Sequence, residues 1–324
     1  MKSQQLLNNV KKYAITCPGQ GILRNGLLEE NKNYRHLLQS YLDEIDTALS
    51  CNFSQYLFQR DVNESETSRW LRQTSNAQPA ILASTYITLK VFEKVYEVDL
   101  LKNTSFLLGH SLGEYTALAL SGIFDLPTAV QFVRERGRFM EEVVRQTPDV
   151  FGMIALIIRP EHVNKVLDLA SEYNILGNVN SKYQVVISGE LAKLDEFVSM
   201  LKSVNKRMLL KAEKLPVSIP FHSTMLETIV PELRSKVDNK ISAQRIPIIS
   251  NLDGEVSTNA SKTVEKALNA NYKPVQWMKS MNQLTTAGVD TVFNLGPGKT
   301  LNAINKRYNV KCIPIENIES FTME

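Results

Sequence analysis

Cysteine is scarce: Cys17, Cys51 and Cys312 are the only three in 324 residues, odd in number and far apart. A disulfide framework and a zinc site both need spaced sets of ligands, so neither is expected, and no metal is. A reducing compartment is the simpler reading. No apolar run reaches the ~18 residues of a membrane span; the densest, such as Met153 to Ile158, is strand-sized. Neither sign of charge is in large excess. Lys and Arg number 37 against 34 Asp and Glu, a formal +3. That balance is too weak a basis for nucleic-acid binding, and no basic run with interleaved aromatics appears. Histidine is limited to His36, His110, His162 and His222, so any histidine-dependent chemistry comes from a short list. What remains is ordinary for a soluble globular chain, 43% hydrophobic and 22% charged. The length admits one large domain with an insertion, or two domains of ~150 residues.

The first acidic residue is Glu29, preceded by Lys2, Lys11, Lys12 and Arg24, while Leu6, Leu7, Val10 and Tyr13 are loosely helical in spacing. A basic, acid-poor opening fits the remnant of an organelle transit segment. A surface lead-in before a strand at Tyr13 to Thr16 fits it as well, because Arg and Ser are few. A secretory signal is not expected, since no apolar core follows the lysines.

The spacing predicts a helix over Ala80 to Val91, after the turn-like Ser75-Asn76 and Pro79, and a buried strand at Thr104 to Leu108. The strand runs into Gly109-His110-Ser111-Leu112-Gly113, and good helix formers follow from Glu114. The stretch 151 to 216 has its own grammar. A strand at Phe151 to Ile158 precedes a helix at Glu161 to Tyr173. Strands at Asn174 to Val179 and Tyr183 to Ser188 follow, then a helix carrying Leu191, Leu194, Phe197, Val198 and Leu201 on one face. A last strand begins at Met208. The order βαββαβ is that of a ferredoxin-like unit. We read it as a small domain, residues 148–216 between Pro148 and Pro216, inserted into a large α/β domain of 1–147 plus 217–324. Further strands are expected at Ile246 to Ile249 and Thr291 to Leu295, the latter leading into Gly296-Pro297-Gly298.

The Gly-x-Ser-x-Gly turn is the strongest chemical signal. A serine on a tight strand-to-helix turn is forced outward, with its hydroxyl at the sheet edge. The helix behind it offers unpaired N–H groups and a positive dipole end, with the Leu112 N–H the natural oxyanion donor. A serine nucleophile needs a base within hydrogen-bond reach. His36 and His162 lie in helix-like stretches beside charges, and His110 should point away from its neighbour Ser111. Elimination leaves His222, in Ile219-Pro220-Phe221-His222-Ser223, against the plainer reading of a structural loop histidine. No Asp or Glu presents itself as a third member. Asp253, in Asn251-Leu252-Asp253-Gly254, is either an orienter or, as we favour, a turn residue.

These residues resemble a known family. Pro18-Gly19-Gln20-Gly21, Gln78-Pro79-Ala80, Gly109 to Tyr115, Arg134 to Met140, Asn178 to Gly189, Pro220 to Ser223, Pro274 to Trp277 and Gly296 to Lys299 occur in order. Together they look like a malonyl-CoA:acyl carrier protein transacylase, and the likeness runs from Tyr13 to Arg307. The resemblance implies an α/β-hydrolase-like large domain with a ferredoxin-like insertion. It implies Ser111 as the acylated serine, His222 as general base and acid, and the backbone N–H groups of Gln20 and Leu112 as the oxyanion hole. It also implies that Arg136 pairs with the free carboxylate of malonate, a task suited to a planar guanidinium. Periodicity alone would leave Arg134, Arg136 and Arg138 as a solvated helix face. Gln78 and Asn180 match pocket-lining positions, Met140 lies beside the expected acyl site, and the carbonyl that orients the histidine falls on Ala270. Acyl carrier protein and malonyl-CoA are the implied partners, with no metal or redox cofactor.

Two departures stand out. Ile22-Leu23-Arg24 follows Gly21 where Ser-Gln is frequent in the family, which touches the pocket mouth. Phe221 precedes the histidine where many bacterial members carry Ser, and its bulk should favour malonyl over an α-methylated acyl group, within the ~1–3 kcal/mol that one methyl provides. The Ile219 to His222 and Asn251 to Gly254 runs look most like the fungal mitochondrial branch. With the basic opening they suggest a mitochondrial matrix location, the alternative being a bacterial cytoplasm. Three rival functions differ in chemistry. A thioester hydrolase would use water in place of the carrier thiol. A general serine esterase expects a side-chain acid between Ser and His. A silent carrier-binding scaffold has no use for Ser111, His222 and Arg136 together.

Overall fold

The computed structural model describes residues 10–21, 26–58, 70–205 and 207–319. The opening at 1–9 and the Ile22-Leu23-Arg24 run lie outside them. The chain begins with β1 (Tyr13–Cys17), α1 (Arg35–Leu49), α2 (Thr74–Tyr96), β2 (Phe106–Gly109), α3 (Leu112–Leu120) and α4 (Leu126–Arg145). A second unit follows: β3 (Phe151–Ile158), α5 (Val163–Glu172), β4 (Leu176–Ser181), β5 (Gln184–Glu190), α6 (Leu191–Val204) and β6 (Leu209–Lys214). The return comprises α7 (Val230–Val237), β7 (Ile248–Ile249), β8 (Val256–Ser257), α8 (Ala260–Asn269), α9 (Trp277–Thr286), β9 (Thr291–Leu295), α10 (Thr300–Asn305) and β10 (Lys311–Ile315).

The strands form two sheets. The larger has the order β10-β9-β1-β2-β7-β8, parallel except for the β7–β8 hairpin. Helices cover both its faces, so β1 is buried along its whole length, and its one polar side chain besides the Tyr13 hydroxyl, Thr16, donates to Asn294 Oδ1 at 2.7 Å. β1 and β2 lie side by side with Cys17 opposite Gly109. Their carboxyl ends therefore deliver Pro18 to Gly21 and His110-Ser111 to the same edge, where open α/β sheets bind ligands. Gly113 lets α3 start against that edge, since a Cβ there would lie 2.2 Å from the Cys17 carbonyl oxygen.

The smaller sheet has the order β4-β5-β3-β6, antiparallel throughout, the ferredoxin-like arrangement. Its two faces have different jobs, set by the period of two. Ile154, Leu156, Ile158, Val185 and Ile187 pack against α5 and α6. Met153, Ala155 and Val186 point the other way and join the main core. The unit is tied back to the large one by backbone bonds of Val275, just before α9, whose carbonyl accepts from the Val179 N–H at 2.8 Å and whose N–H donates to the Gly177 carbonyl at 2.9 Å.

Three expectations change. α2 begins at Thr74, upstream of Ala80, and takes Pro79 inside it. The cause is α4: Glu141 accepts the Ser75 N–H at 2.9 Å and so caps the new start, while Gly137 has no Cβ to collide with Ser75. β7 is only Ile248–Ile249, and pairs with β2 through Leu107. β10 was not expected at all. Pro314 weakens its strand signal, but the strand lies at the sheet edge, where proline is tolerated.

Candidate active site

Ser111 is the N-cap of α3 and has φ 54° and ψ −112°. A non-glycine residue in that region costs on the order of 1–3 kcal/mol and persists only where its surroundings enforce it. The conformation turns the hydroxyl into a cavity lined by the β1 loop, the β2 turn, the small sheet and the Leu215 to His222 segment. Ser111 Oγ lies 2.7 Å from His222 Nε2. The other ring nitrogen, Nδ1, lies 2.8 Å from the Ala270 carbonyl oxygen. A carbonyl only accepts, so Nδ1 carries the proton and Nε2 is left to accept the Ser111 hydroxyl proton. His222 is 3% exposed, with φ 62°. Burial, and secondarily the field of Arg136, push its pKa down to about 3, against the opposing bond to Ala270. The imidazole is neutral at ordinary pH.

No side-chain acid orients His222 among the described residues. Asp253 is used elsewhere, accepting the Glu255 N–H at 3.0 Å and pairing with Lys266 at 2.7 Å. Its part is the turn. His110 points away from the dyad: its Nε2 lies 2.8 Å from Asn180 Oδ1, and its ring meets the edge of Trp277. His36 and His162 do not line the cavity.

Arg136 sits on the inner face of α4, 2% exposed, and reaches the cavity wall. Its Nε donates to Asn271 Oδ1 at 2.6 Å and its Nη1 to Gln78 Oε1 at 2.7 Å. The guanidinium carbon stands 4.9 Å from the centre of the Tyr115 ring. Among the described residues no carboxylate pairs with it. Glu114, whose field reaches it, bonds to the Asn251 N–H instead. Burial lowers the pKa of Arg136 from its ordinary value, yet a guanidinium stays charged. A buried cation held by two neutral amides is unusual and points to an anion from outside.

Of the remaining residues expected at the site, Gln20, Leu112, Phe221 and Asn180 line the cavity. Leu112 is the first residue of α3, where N–H groups have no acceptor within the helix. The β1 loop lies directly on the β2 turn, so that a Cβ on Gly19 would be 2.6 Å from the His110 carbonyl oxygen. Gln78 and Met140 are a correction. Both are fully buried behind Arg136 and off the cavity wall, with Gln78 Nε2 donating to Met140 Sδ at 3.7 Å. Gln78 Oε1 accepts from the Arg136 guanidinium, so the side chain holds that cation and does not face the cavity. Asn180 does reach the wall, but its oxygen faces His110 and its amide nitrogen donates to Gln184 at 3.1 Å.

Sequence reasoning passed over two residues. Asn271 holds Arg136 and also donates to the Tyr115 hydroxyl at 2.9 Å. Asn251 bonds the Ser111 turn. The only available signals were their places, Asn271 beside Ala270 and Asn251 opening the Asn251 to Gly254 run.

Comparison with known proteins agrees with this geometry. Residues 19–311 match the family model described as an acyl transferase domain. The chain is 34% identical to the malonyl CoA-acyl carrier protein transacylase of Bacillus subtilis, over 97% of this chain and 96% of that protein. It is 29% identical to the protein of the same name in Escherichia coli K12, over 91% and 92%. The solved acyl-carrier-protein-S-malonyltransferase of Bartonella henselae superposes with a TM-score of 0.83 at 28% identity, over 96% of this chain and 98% of that one. The transacylase of Clostridium perfringens gives 0.82 at 30%, over 96% and 95%. A serine–histidine pair at the sheet's carboxyl edge, a buried arginine beside it and matches of this length lead to one conclusion: the chain belongs to the acyl transferase family, among its malonyl CoA-acyl carrier protein transacylases.

Proposed function

We propose that this chain transfers the malonyl group of malonyl-CoA to the phosphopantetheine thiol of acyl carrier protein, for fatty acid synthesis, through an ester on Ser111. His222 Nε2 takes the Ser111 proton as Oγ attacks the thioester carbonyl carbon. The N–H groups of Leu112 and Gln20 hold the resulting oxyanion. The C–S bond breaks, and the departing sulfur takes the proton back from His222. The carrier thiol then gives its proton to His222 and attacks the ester, and Ser111 Oγ leaves with that proton. Ala270 keeps the ring in the required tautomer. Burial lowers the pKa of His222, and the oxyanion that develops beside the ring opposes that effect by favouring the imidazolium.

The observation that carries this reading is Arg136, a buried guanidinium bonded to the neutral amides of Gln78 and Asn271 and open to the cavity. A malonyl carboxylate completes it. The test is incubation with malonyl-labelled malonyl-CoA, with and without carrier protein. Stable label on the protein that moves to the carrier supports transfer. Steady release of free malonate supports a hydrolase, and no label supports a scaffold.

Phe221, 7% exposed on the cavity wall, supports a narrow space at the acyl α-carbon. The Ile219 to His222 and Asn251 to Gly254 runs and the basic opening support a place in the fungal mitochondrial branch and the matrix. Imaging of a carboxyl-terminal fluorescent fusion in a fungal cell checks it, and diffuse cytosolic signal rejects it.

A further inference from the structure

We infer that Asn251 is a positioning residue for the nucleophile, clamping the Gly109–Ser111 turn with its side-chain amide while Glu114 and Gln276 hold it in place. The inference deepens the reading of Ser111 as the acylated serine and rests on it.

Asn251 Oδ1 accepts the Ser111 N–H at 2.8 Å, and Asn251 Nδ2 donates to the Gly109 carbonyl at 2.5 Å. One planar amide thus ties together two residues on either side of His110, across the tightest part of the turn. The amide has little freedom to swing. Asn251 is fully buried, its own N–H donates to Glu114 Oε1 at 3.0 Å, and its carbonyl accepts from the Gln276 N–H at 2.8 Å. Three segments distant in sequence, the Ser111 turn, the β7–β8 connection and the approach to α9, meet at this residue.

Two consequences follow for the chemistry. The positive φ of Ser111 is enforced by a bond to its own N–H, so the direction of Oγ toward His222 depends on the clamp. The Ser111 N–H is also consumed behind the turn. It cannot serve the acyl oxygen, which leaves that task to Leu112 and Gln20. The position demands an acceptor and a donor on one short side chain. Asp supplies no donor for the Gly109 carbonyl and brings a second carboxylate beside Glu114. Gln carries the amide one carbon too far.

The test is the single-turnover rate of Ser111 malonylation from labelled malonyl-CoA, per folded protein, with KM and melting temperature measured on the same samples. Asn251→Ala and Asn251→Asp are expected to acylate about 10- to 100-fold more slowly, the scale of loss from misplacing a reacting group by about an ångström. KM for malonyl-CoA and the preference for malonyl over acetyl are expected to hold, because Arg136 is untouched. A folded Asn251→Ala that acylates at the wild-type rate, or that loses only melting temperature, overturns the inference. If neither variant folds, the Glu114 pair decides. Glu114→Gln keeps an oxygen for the Asn251 N–H and should retain the rate, while Glu114→Ala should slow acylation. Equal rates in the two overturn the inference. Wild-type protein that takes up no label removes the malonyl-serine reading and this inference with it, whereas labelled wild type with unimpaired variants removes the inference alone.

Discussion

The two sheets face one cavity and contribute to it unequally. Every group proposed to react or to carry charge comes from the large unit. Ser111 and Leu112 follow β2, Gln20 follows β1, His222 precedes α7, Arg136 lies on α4, and Ala270 ends α8. The small sheet gives Met153, Ala155 and Val186 as an apolar wall, with Asn178 and Asn180 at its β4 edge. The difference follows from strand geometry. A parallel sheet collects loops at one edge, where backbone N–H groups and helix ends are unspent. An antiparallel sheet pairs its backbone and offers a flat face of alternate side chains. The large unit is thus built for reaction and the small one for shape.

The largest test of that division is Ser111→Ala, which should abolish the malonyl adduct seen by intact-protein mass spectrometry while leaving the fold. An adduct that persists would place the nucleophile elsewhere. His222→Ala should slow both half-reactions by ~10²–10⁴-fold, the usual contribution of general base catalysis. Stopped-flow acylation and carrier-dependent deacylation measure the two separately, and a normal rate in either removes His222 from that step.

Arg136→Ala comes next. Leaving a buried charge without its partner typically costs ~3–5 kcal/mol, so kcat/KM for malonyl-CoA should fall by about two to nearly four powers of ten. Acetyl-CoA, with no carboxylate, should be spared, and Arg136→Lys should recover only part of the loss because a point charge lacks the fork geometry. Equal losses for both thioesters would make Arg136 a support for α2 and α4 and nothing more.

A substitution on the shape side should look different. Ala155→Leu fills the apolar wall, and one side chain's worth of lost fit is about 1–3 kcal/mol, on the order of 10- to 100-fold in KM. The acylation rate at saturation should change little, since no reacting group moves. A fall in that rate as large as that of Arg136→Ala would break the division between the two sheets.

The last effect is on stability against pH, and the two groups concerned, His222 and Glu114, lie in the large unit. His222 is pushed down to about 3 from 6.5 by burial. The unfolded chain binds that proton where the folded protein does not, so stability falls as pH drops from about 6.5 towards 3. Glu114 acts in the opposite sense, raised from 4.5 to about 7 by burial against its bond from the Asn251 N–H. The folded protein keeps a proton that the unfolded chain releases, and stability falls as pH rises from about 4.5 to 7. Melting temperatures across this range should flatten on the acid side in His222→Gln and on the neutral side in Glu114→Gln. An unchanged profile in both would mean that neither group is as desolvated as its burial implies.

The sequence alone determined what depends on neighbours along the chain. The Gly109 to Gly113 turn is local, because the glycines, the strand before and the helix after are contiguous, and so Ser111 could be read directly. The βαββαβ unit was legible for the same reason: periods of two and of about 3.6 switch in order from Phe151 to Lys214. The family motifs carried Arg136 and Ala270, which no periodicity singles out. Tertiary structure decided what depends on approach across long separations. The start of α2 was set by Glu141 on another helix. The side chains that hold the charge and the turn, Gln78 and Asn271 on Arg136 and Asn251 on Ser111, are short amides whose partners lie 58 to 140 residues away. An amide has the same local preferences whether it faces water or a buried guanidinium, so its task exists only once the helices and sheet edge bring the partner to it.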